Sequence, residues 1–339
     1  MSPKPAAELG DGQSIEEVGV AVRRPRARTV SVIVPTKNRS AMLREALESI
    51  VALRGPDLDL EIIVADNHST DDTCAVAESL GAFVVEAEHP GAGAARNAGL
   101  AAATGDYLAF LDDDDVFLPG HLRPHIHFLE QHPDFDVVIG QVVNADFDLA
   151  NRGPGRPDRL PTDGDLFQTF LRLQPQIGAT VTRASVRQDV PWFDETLVDV
   201  SQNVYASDED WDWHMRLALS FRVGFVPVEC VLFRQRLATV DAELVWRRMK
   251  FTRRVLLANI TRSGDRRPSV GAIAGILAAH RGLCCSQLMR AAEGFEAAHD
   301  HRSARRSAFR ALLASPPHAA RELVHHPRLF GILRPQRRS

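Results

Sequence analysis

The sequence lacks the residue patterns typical of secreted, disulfide-bonded and membrane-spanning proteins. Only four of its 339 residues are cysteine and none forms a C-x-x-C pair, so neither a disulfide framework nor a zinc-finger pattern is predicted, and a reducing, cytoplasmic location is expected. The longest apolar stretch, Val270 to Ala279, is shorter than the ~20 residues that span a bilayer. The N-terminus lacks the charged-then-apolar order of a secretory signal.

Other absences exclude whole classes of function. No G-x-G-x-x-G follows the first predicted strand, and the glycines of 91–99 do not have that spacing, which argues against a dinucleotide-dependent oxidoreductase. No aromatic residues are interleaved with basic ones as in nucleic-acid-binding surfaces, and no internal repeat is present. A nucleic-acid partner is therefore not expected.

Charge is divided unevenly along the chain. The net charge is −4, but residues 241–339 contain 19 Lys and Arg against 7 Asp and Glu, so an acidic body precedes a basic C-terminal region. Such a region can bind an anionic membrane surface, an acidic partner or its own acidic body. Peripheral membrane contact and pairing of two chains through these residues are both expectations from this pattern.

Four consecutive aspartates, Asp112 to Asp115, follow an apolar run at 107–111. Four neighbouring carboxylates repel one another, and a bound divalent cation offsets that repulsion. Oxygen-only ligands suit Mg²⁺ or Mn²⁺. The alternative interpretation is a solvated acidic turn, which a buried strand leading directly into the run does not favour.

Strands and helices alternate along the first third of the chain, which predicts a parallel sheet covered by helices. The predicted strands are 29–34, 60–65, 82–86 and 105–111, and the predicted helices are 41–53, 69–80 and 91–103. Further on, we predict helices at 119–131 and 207–219, a strand at 136–142, a mobile loop at 151–165, and helices from 242 onward with breaks at 263–268 and 315–317. Because ligands gather at the carboxyl ends of parallel strands, Lys37, Asp66 and Asp112 should converge on one crevice.

Five segments in this order resemble the motifs of the family 2 glycosyltransferases over residues 29–235. They are SVIVPTKNR at 31–39, IIVADNHSTDD at 62–72, GAGAARNAGL at 91–100, FLDDDD at 110–115 and EDW at 209–211. The resemblance implies a GT-A fold, an α/β architecture with a mostly parallel central sheet flanked by helices, to which this chain adds a helical C-terminal extension. It also implies transfer of a sugar, with inversion, from a nucleotide-diphosphate donor to an acceptor hydroxyl or amine.

The resemblance assigns roles to individual positions. Asp66 would accept a hydrogen bond from the donor base, commonly uracil, although capping of the following turn is an alternative role. Asp114 matches the position that binds Mn²⁺ or Mg²⁺ directly, while Asp113 and Asp115 would be supporting charges. The nucleotide-sugar-binding residues implied by the match are Pro35, Thr36, Lys37, Arg39, Asp66, Arg96, Asp112 and Asp113.

Asp210 matches the general base, and Glu209 is expected to orient it. Glu209, Trp211 and Arg236 are candidate contacts to the acceptor or the diphosphate, although core packing is the alternative for Trp211, as it is for Trp192 and Trp213. Arg236 stands where many members place a histidine near the metal. Since arginine stays protonated and cannot ligate a metal, no third metal ligand is assigned.

The predicted organisation is a disordered leader at 1–28, a GT-A domain at 29–238 with halves at 29–118 and 119–238, and a basic helical region at 239–339. Two alternatives remain open. A catalytically idle GT-A module would bind a nucleotide or partner, and a sugar-phosphate nucleotidyltransferase would need a glycine-rich loop, which 35–39 does not provide. The acceptor, expected to be a small molecule, a glycan or a lipid-linked sugar, is not specified by the sequence.

Overall fold

The computed structural model of the chain describes residues 28–157, 166–199, 206–235 and 242–325. Apart from Arg28, the predicted leader lies outside the described residues, and so does Arg236. The predicted domain boundaries therefore stay predictions.

The first half of the fold is the parallel α/β unit that the alternating pattern predicts. Its elements are β1 (Arg28–Thr36), α1 (Ser40–Val51), β2 (Leu58–Asp66), α2 (Thr73–Ser79), β3 (Phe83–Glu86), α3 (Ala92–Ala102) and β4 (Tyr107–Phe110). The strands lie in the order β3-β2-β1-β4, and every pairing among them is parallel. α1 buries Leu43, Ala46, Leu47 and Ile50, the helical spacing that packs one face on a sheet.

The second half of the fold extends the same sheet with mixed pairing. Its elements are β5 (Val116–Phe117), α4 (Arg123–Gln131), β6 (Val137–Ala145), β7 (Arg152–Arg156), α5 (Phe167–Phe170), β8 (Thr180–Arg183), α6 (Val186–Asp189), β9 (Val198–Asp199), β10 (Ala206–Ser207), α7 (Glu209–Ser220) and β11 (Val223–Arg234). β8 is antiparallel to both β4 and β6, and β11 lies between β6 and β5. The predicted α/β architecture is confirmed, with the parallel pairings concentrated in the first half.

One predicted loop is in part a strand. Residues 152–156 form β7, which pairs antiparallel with β6, whereas 158–165 lie outside the described residues. The glycines and proline of β7 suggest a loop to sequence reasoning, but an edge strand tolerates both residue types because one of its sides forms no ladder hydrogen bonds.

Within residues 242–325, four α-helices follow β11: α8 (Ala242–Arg262), α9 (Val270–Ala297), α10 (His301–Ala314) and α11 (Pro316–His325). The breaks near 263–268 and 315 are confirmed, but the sequence interpretation missed the one between α9 and α10. α9 is long and apolar enough to cross a membrane by length and composition alone, and 33% of its most apolar stretch is buried inside the protein. α9, α10 and α11 share a small core that includes Leu288, Met289 and Ala308.

Buried polar contacts attach α8 to α7. Asp208, just before α7, accepts hydrogen bonds from Arg248 Nε at 2.9 Å and Thr252 Oγ1 at 2.6 Å. One turn later, Asp212 accepts one from Asn259 Nδ2 at 2.7 Å. The C-terminal region thus fixes the start of α7, which the sequence associates with the chemistry.

Candidate active site

The carboxyl ends of β1 and β2 lie side by side, with Thr36 paired with Asp66. Asp66 is buried, and its Oδ2 accepts a hydrogen bond from the backbone N–H of Ser69 at 3.0 Å. Its Oδ1 accepts no hydrogen bond of standard geometry, although the Cys74 thiol lies near the carboxylate. Asp66 therefore caps its turn and keeps one buried oxygen with acceptor capacity, which is what recognition of a base requires.

Asp113 is the buried anchor of the aspartate run. It accepts hydrogen bonds from Thr36 Oγ1 at 2.8 Å and from Arg39 Nη1 at 2.6 Å. Arg39 also lies 3.6 Å from Asp114. Burial raises the pKa of Asp113 to about 6, although Arg39 opposes this rise. The resemblance lists Arg39 among the nucleotide-sugar-binding residues; in the structure its guanidinium pairs with the aspartate run just beyond the end of β1.

Asp112, Asp114 and Asp115 form what we call the carboxylate cluster, with one oxygen from each within 4.8 Å of the others. Burial, and then the charges of Asp112 and Asp114, raise the pKa of Asp115 well above its usual value. This cluster of oxygen ligands fits a divalent cation such as Mg²⁺ or Mn²⁺. Sequence reasoning assigned the metal to Asp114 and treated Asp115 as a supporting charge, whereas the geometry groups both with Asp112.

Arg96 connects this cluster to α7. Only 4% of the residue is exposed, and its Nη2 donates to Asp112 at 2.7 Å while its Nη1 donates to Glu209 at 2.6 Å. Burial opposes the charge, but Asp112, Glu209 and Asp210 raise the pKa of Arg96 above its usual value. The FLDDDD and EDW motifs, almost a hundred residues apart in sequence, therefore meet on one guanidinium.

Asp210 lies in the first turn of α7 and is partly exposed. Its Oδ1 accepts the Trp211 backbone N–H at 2.7 Å and a long contact from Gln174 Nε2 at 3.4 Å. Burial raises the pKa of Asp210, and the positive charge of Arg96 offsets part of that rise. A carboxylate with a raised pKa is a better proton acceptor at neutral pH.

The remaining predicted site residues range from fully buried to exposed. Trp211 is 1% exposed and donates its indole N–H to the Phe170 carbonyl at 2.6 Å, so it takes the core-packing alternative rather than facing an acceptor. Trp213 is also buried, whereas Trp192 is exposed. Pro35 is buried at the end of β1, and Lys37 just beyond it is half-buried.

Sequence reasoning missed Arg234. Its backbone N–H donates to Asp115 at 2.9 Å, and its Nε donates to the Asp114 carbonyl at 2.7 Å. Its Nη2 also reaches Glu45 at 2.6 Å. Arg234 stands two residues before Arg236 in the segment 231–236 that resembles the family, so the same segment contained the signal that could have found it.

Comparison with known proteins agrees with this geometry. The family model described as glycosyl transferase family 2 matches residues 31–190. An uncharacterized glycosyltransferase of Bacillus subtilis, YwdF, is 30% identical over 211 residues, which cover 60% of this chain and 73% of that protein. The chain belongs to glycosyl transferase family 2.

Other glycosyltransferases match shorter segments of the chain or its fold alone. The GalNAc(5)-diNAcBac-PP-undecaprenol beta-1,3-glucosyltransferase of Campylobacter jejuni is 42% identical over 101 residues, 27% of this chain and only 32% of that protein. The structure of S. aureus TarS 1–349 with UDP-GlcNAc has a TM-score of 0.52 at 18% identity, covering 84% of this chain and 91% of that one. The fold and the glycosyltransferase class are thereby established.

Proposed function

We propose that this family 2 glycosyltransferase is inverting and metal-assisted, and that it moves a sugar from a nucleotide-diphosphate donor to an acceptor hydroxyl or amine. The observation that carries the proposal is the Arg96 bridge, with contacts of 2.7 and 2.6 Å to Asp112 and Glu209. It joins a carboxylate cluster suited to a metal and diphosphate with the helix start that carries a candidate base. A solvated acidic turn would need no such buried connection.

The donor half of the proposed site lies at the ends of β1, β2 and β4. Asp66 offers a buried oxygen to the base, and the backbone at 35–37 would line the nucleotide. The carboxylate cluster would hold Mn²⁺ or Mg²⁺, with Asp114 as the principal ligand. When bound, such a cation neutralises charge that develops on the departing nucleoside diphosphate.

Asp210 is the proposed general base. In an inverting displacement, one carboxylate takes the proton of the acceptor as the acceptor attacks. Its partial exposure gives an acceptor access, and its raised pKa suits proton abstraction. The Arg96 guanidinium pairs with the Glu209 carboxylate at 2.6 Å. In this proposal Asp210 therefore takes the proton, and Glu209 holds Arg96.

A UDP-sugar is the proposed donor, and a membrane lipid-linked sugar is one acceptor class to test. The TarS structure contains UDP-GlcNAc, and the name of the Campylobacter relative specifies a polyprenyl-diphosphate acceptor and a β product. A β product from an α-linked UDP-sugar requires inversion. The basic C-terminal helices would keep a cytoplasmic enzyme near an anionic membrane.

The first experiment is a thermal-shift panel of UDP-, GDP-, dTDP- and CDP-sugars, each with Mn²⁺ or with chelator. A ligand that binds the native state raises the melting temperature by mass action. We expect stabilisation by UDP-sugars that requires Mn²⁺ and is lost in Asp114→Ala but kept in Asp148→Ala, a control at an exposed aspartate. Stabilisation that is equal with chelator would refute the metal role, and binding without any transfer to any acceptor would favour the idle module.

A further inference from the structure

A second cluster of metal-ligating side chains lies inside the protein, apart from the carboxylate cluster. His121 precedes α4, His125 lies in its first turns, and Cys230 lies on β11. All three are buried, with His121 1% and His125 0% exposed. One ring nitrogen from each histidine and the Cys230 Sγ lie within 4.8 Å of one another. We call this group the histidine–cysteine cluster.

The histidine nitrogens are the unusual feature. None of the four accepts or donates a hydrogen bond of standard geometry, and the two rings meet edge to face with centroids 4.8 Å apart. Leaving one buried polar group without a partner costs about 1–3 kcal/mol. By contrast, the buried His214 is satisfied on both sides, by Thr180 Oγ1 at 2.9 Å and the Asp210 carbonyl at 2.7 Å.

A glycine on the neighbouring strand leaves space for this cluster. At Gly140 on β6, an added Cβ would lie 2.7 Å from both Cys230 Sγ and His125 Nε2. These two atoms therefore converge on one small space that only glycine leaves open. The Cys230 thiol donates to the Gln141 carbonyl at 3.0 Å, so its sulfur is held on this side of the strand.

The protonation states are compatible with metal binding by the rings. Burial lowers the pKa of His121 well below its usual value and that of His125 to about 4, and the nearby backbone of Gly178 and Ala179 offsets only part of this. Both rings are thus neutral at pH 7, the form that ligates metals. A ring that turns one nitrogen toward a backbone carbonyl presents the other to a metal.

We propose that His121, His125 and Cys230 form a structural binding site for one Zn²⁺ ion. Imidazole and thiolate are the ligand types that zinc prefers, and an oxygen-binding cation such as Mg²⁺ would find no carboxylate here. Ligand atoms around tetrahedral zinc lie about 3.5 Å apart, given bond lengths of ~2.0–2.3 Å. The three candidate ligand atoms lie within 4.8 Å of one another, so small side-chain rotations would reach that spacing, and binding would release the thiol proton.

The site would join two segments that support the carboxylate cluster. The backbone N–H of Leu118 donates to the Cys230 carbonyl at 2.9 Å. β5 pairs with the two residues of β11 that follow Cys230. Asp115 accepts the Arg234 N–H at the end of the same strand. Zinc between 121–125 and 230 would thus fasten the segment that follows the aspartates to β11, which stabilises the fold rather than performing chemistry.

The test measures metal directly. The full chain is purified without an affinity tag, its zinc is quantified by mass spectrometry, and the apo-protein is titrated with Co²⁺ under reducing conditions. We expect about one equivalent of zinc, and a tetrahedral Co²⁺ spectrum with a thiolate charge-transfer band. Cys230→Ser should lose that band and His125→Gln should weaken binding by more than ~100-fold.

Matched controls identify the location of the ion. His127→Gln changes an exposed histidine of the same helix, and Cys284→Ser changes a buried free thiol elsewhere; both should keep the wild-type spectrum. Asp114→Ala should also keep it, because the carboxylate cluster offers only oxygen. Absence of zinc together with no Co²⁺ thiolate band would overturn the proposal, as would a band that survives in Cys230→Ser.

Discussion

Two clusters of metal-ligating residues lie on either side of β5 in the chain, and they differ in nearly every physical property. The carboxylate cluster is charged, lies at the carboxyl ends of the parallel strands and is partly exposed. The histidine–cysteine cluster is neutral and buried. Because exposed charge can meet a substrate and buried neutral groups cannot, the first is suited to catalysis and the second to stability.

The two clusters also differ in how the protein balances their charges and polar atoms. The protein already balances its aspartates: Arg96 pairs with Asp112, and Arg39 pairs with Asp113. The two histidines have no such balance within the described residues. A cation at the carboxylates therefore joins a site whose charge the arginines balance only in part. Zinc at the histidines would give the ring nitrogens a partner beyond the nearby backbone of Gly178 and Ala179.

The largest effect is expected from Asp210→Asn. Removing the proposed base should lower turnover by about 10²–10⁴-fold while donor binding is retained, because a general base acts in the transition state. Turnover with a UDP-sugar and acceptor, and the donor-induced thermal shift, are the two measurements. The control is Asp212→Asn, whose carboxylate is buried in a salt bridge with Arg216; it should lower the melting temperature more than the turnover of folded enzyme. An active Asp210→Asn enzyme would show that the base is elsewhere.

The second-largest effect tests whether the two clusters have different roles, one in donor binding and one in stability. Asp114→Ala should weaken Mn²⁺-dependent donor binding by about 100-fold, because the cation supplies several kcal/mol of charge stabilisation, with little change in the stability of the apo-protein. His125→Gln should do the opposite, lowering the melting temperature while folded enzyme still binds the donor. Calorimetric titration and thermal unfolding of both variants decide this. Similar behaviour of the two variants would remove the distinction between a functional and a structural cluster.

The sequence predicted the carboxylate cluster because its members are adjacent and follow an apolar strand. Alternation of strands and helices also predicted the parallel half of the sheet, and so the placement of Asp66 and Asp112 at the carboxyl ends of two strands of one sheet. The histidine–cysteine cluster could not be predicted in this way, since Cys230 is more than a hundred residues from His125 and reaches it only through β11. Likewise, no pattern reveals that Arg96 faces Glu209, because that contact depends on how α7 packs against α3.

A smaller effect concerns the pH dependence of activity. Arg248 is among the cations that lower the pKa of Asp210, after Arg96. Arg248→Met should therefore raise that pKa. Because the base acts deprotonated, the fall of kcat/KM on acidification should begin at a higher pH than in the wild type. Arg248→Lys keeps the charge and should keep the profile, and an unchanged profile in Arg248→Met would argue against Asp210 as the titrating base.

The smallest expected effect is on stability alone. Gly140→Ala places a methyl group 2.7 Å from His125 Nε2 and Cys230 Sγ, and such overpacking costs about 1–3 kcal/mol. For a chain of 339 residues we expect the melting temperature to fall by about 1–2 °C per kcal/mol, with donor binding unchanged below that temperature. Gly153→Ala is the control, because its added methyl would lie 3.6 Å from the nearest atom, the Asn144 carbonyl oxygen. If zinc occupies the space beside Gly140, the alanine variant should also lose Co²⁺ affinity, whereas a purely packed histidine pair would show the stability loss with no metal to displace.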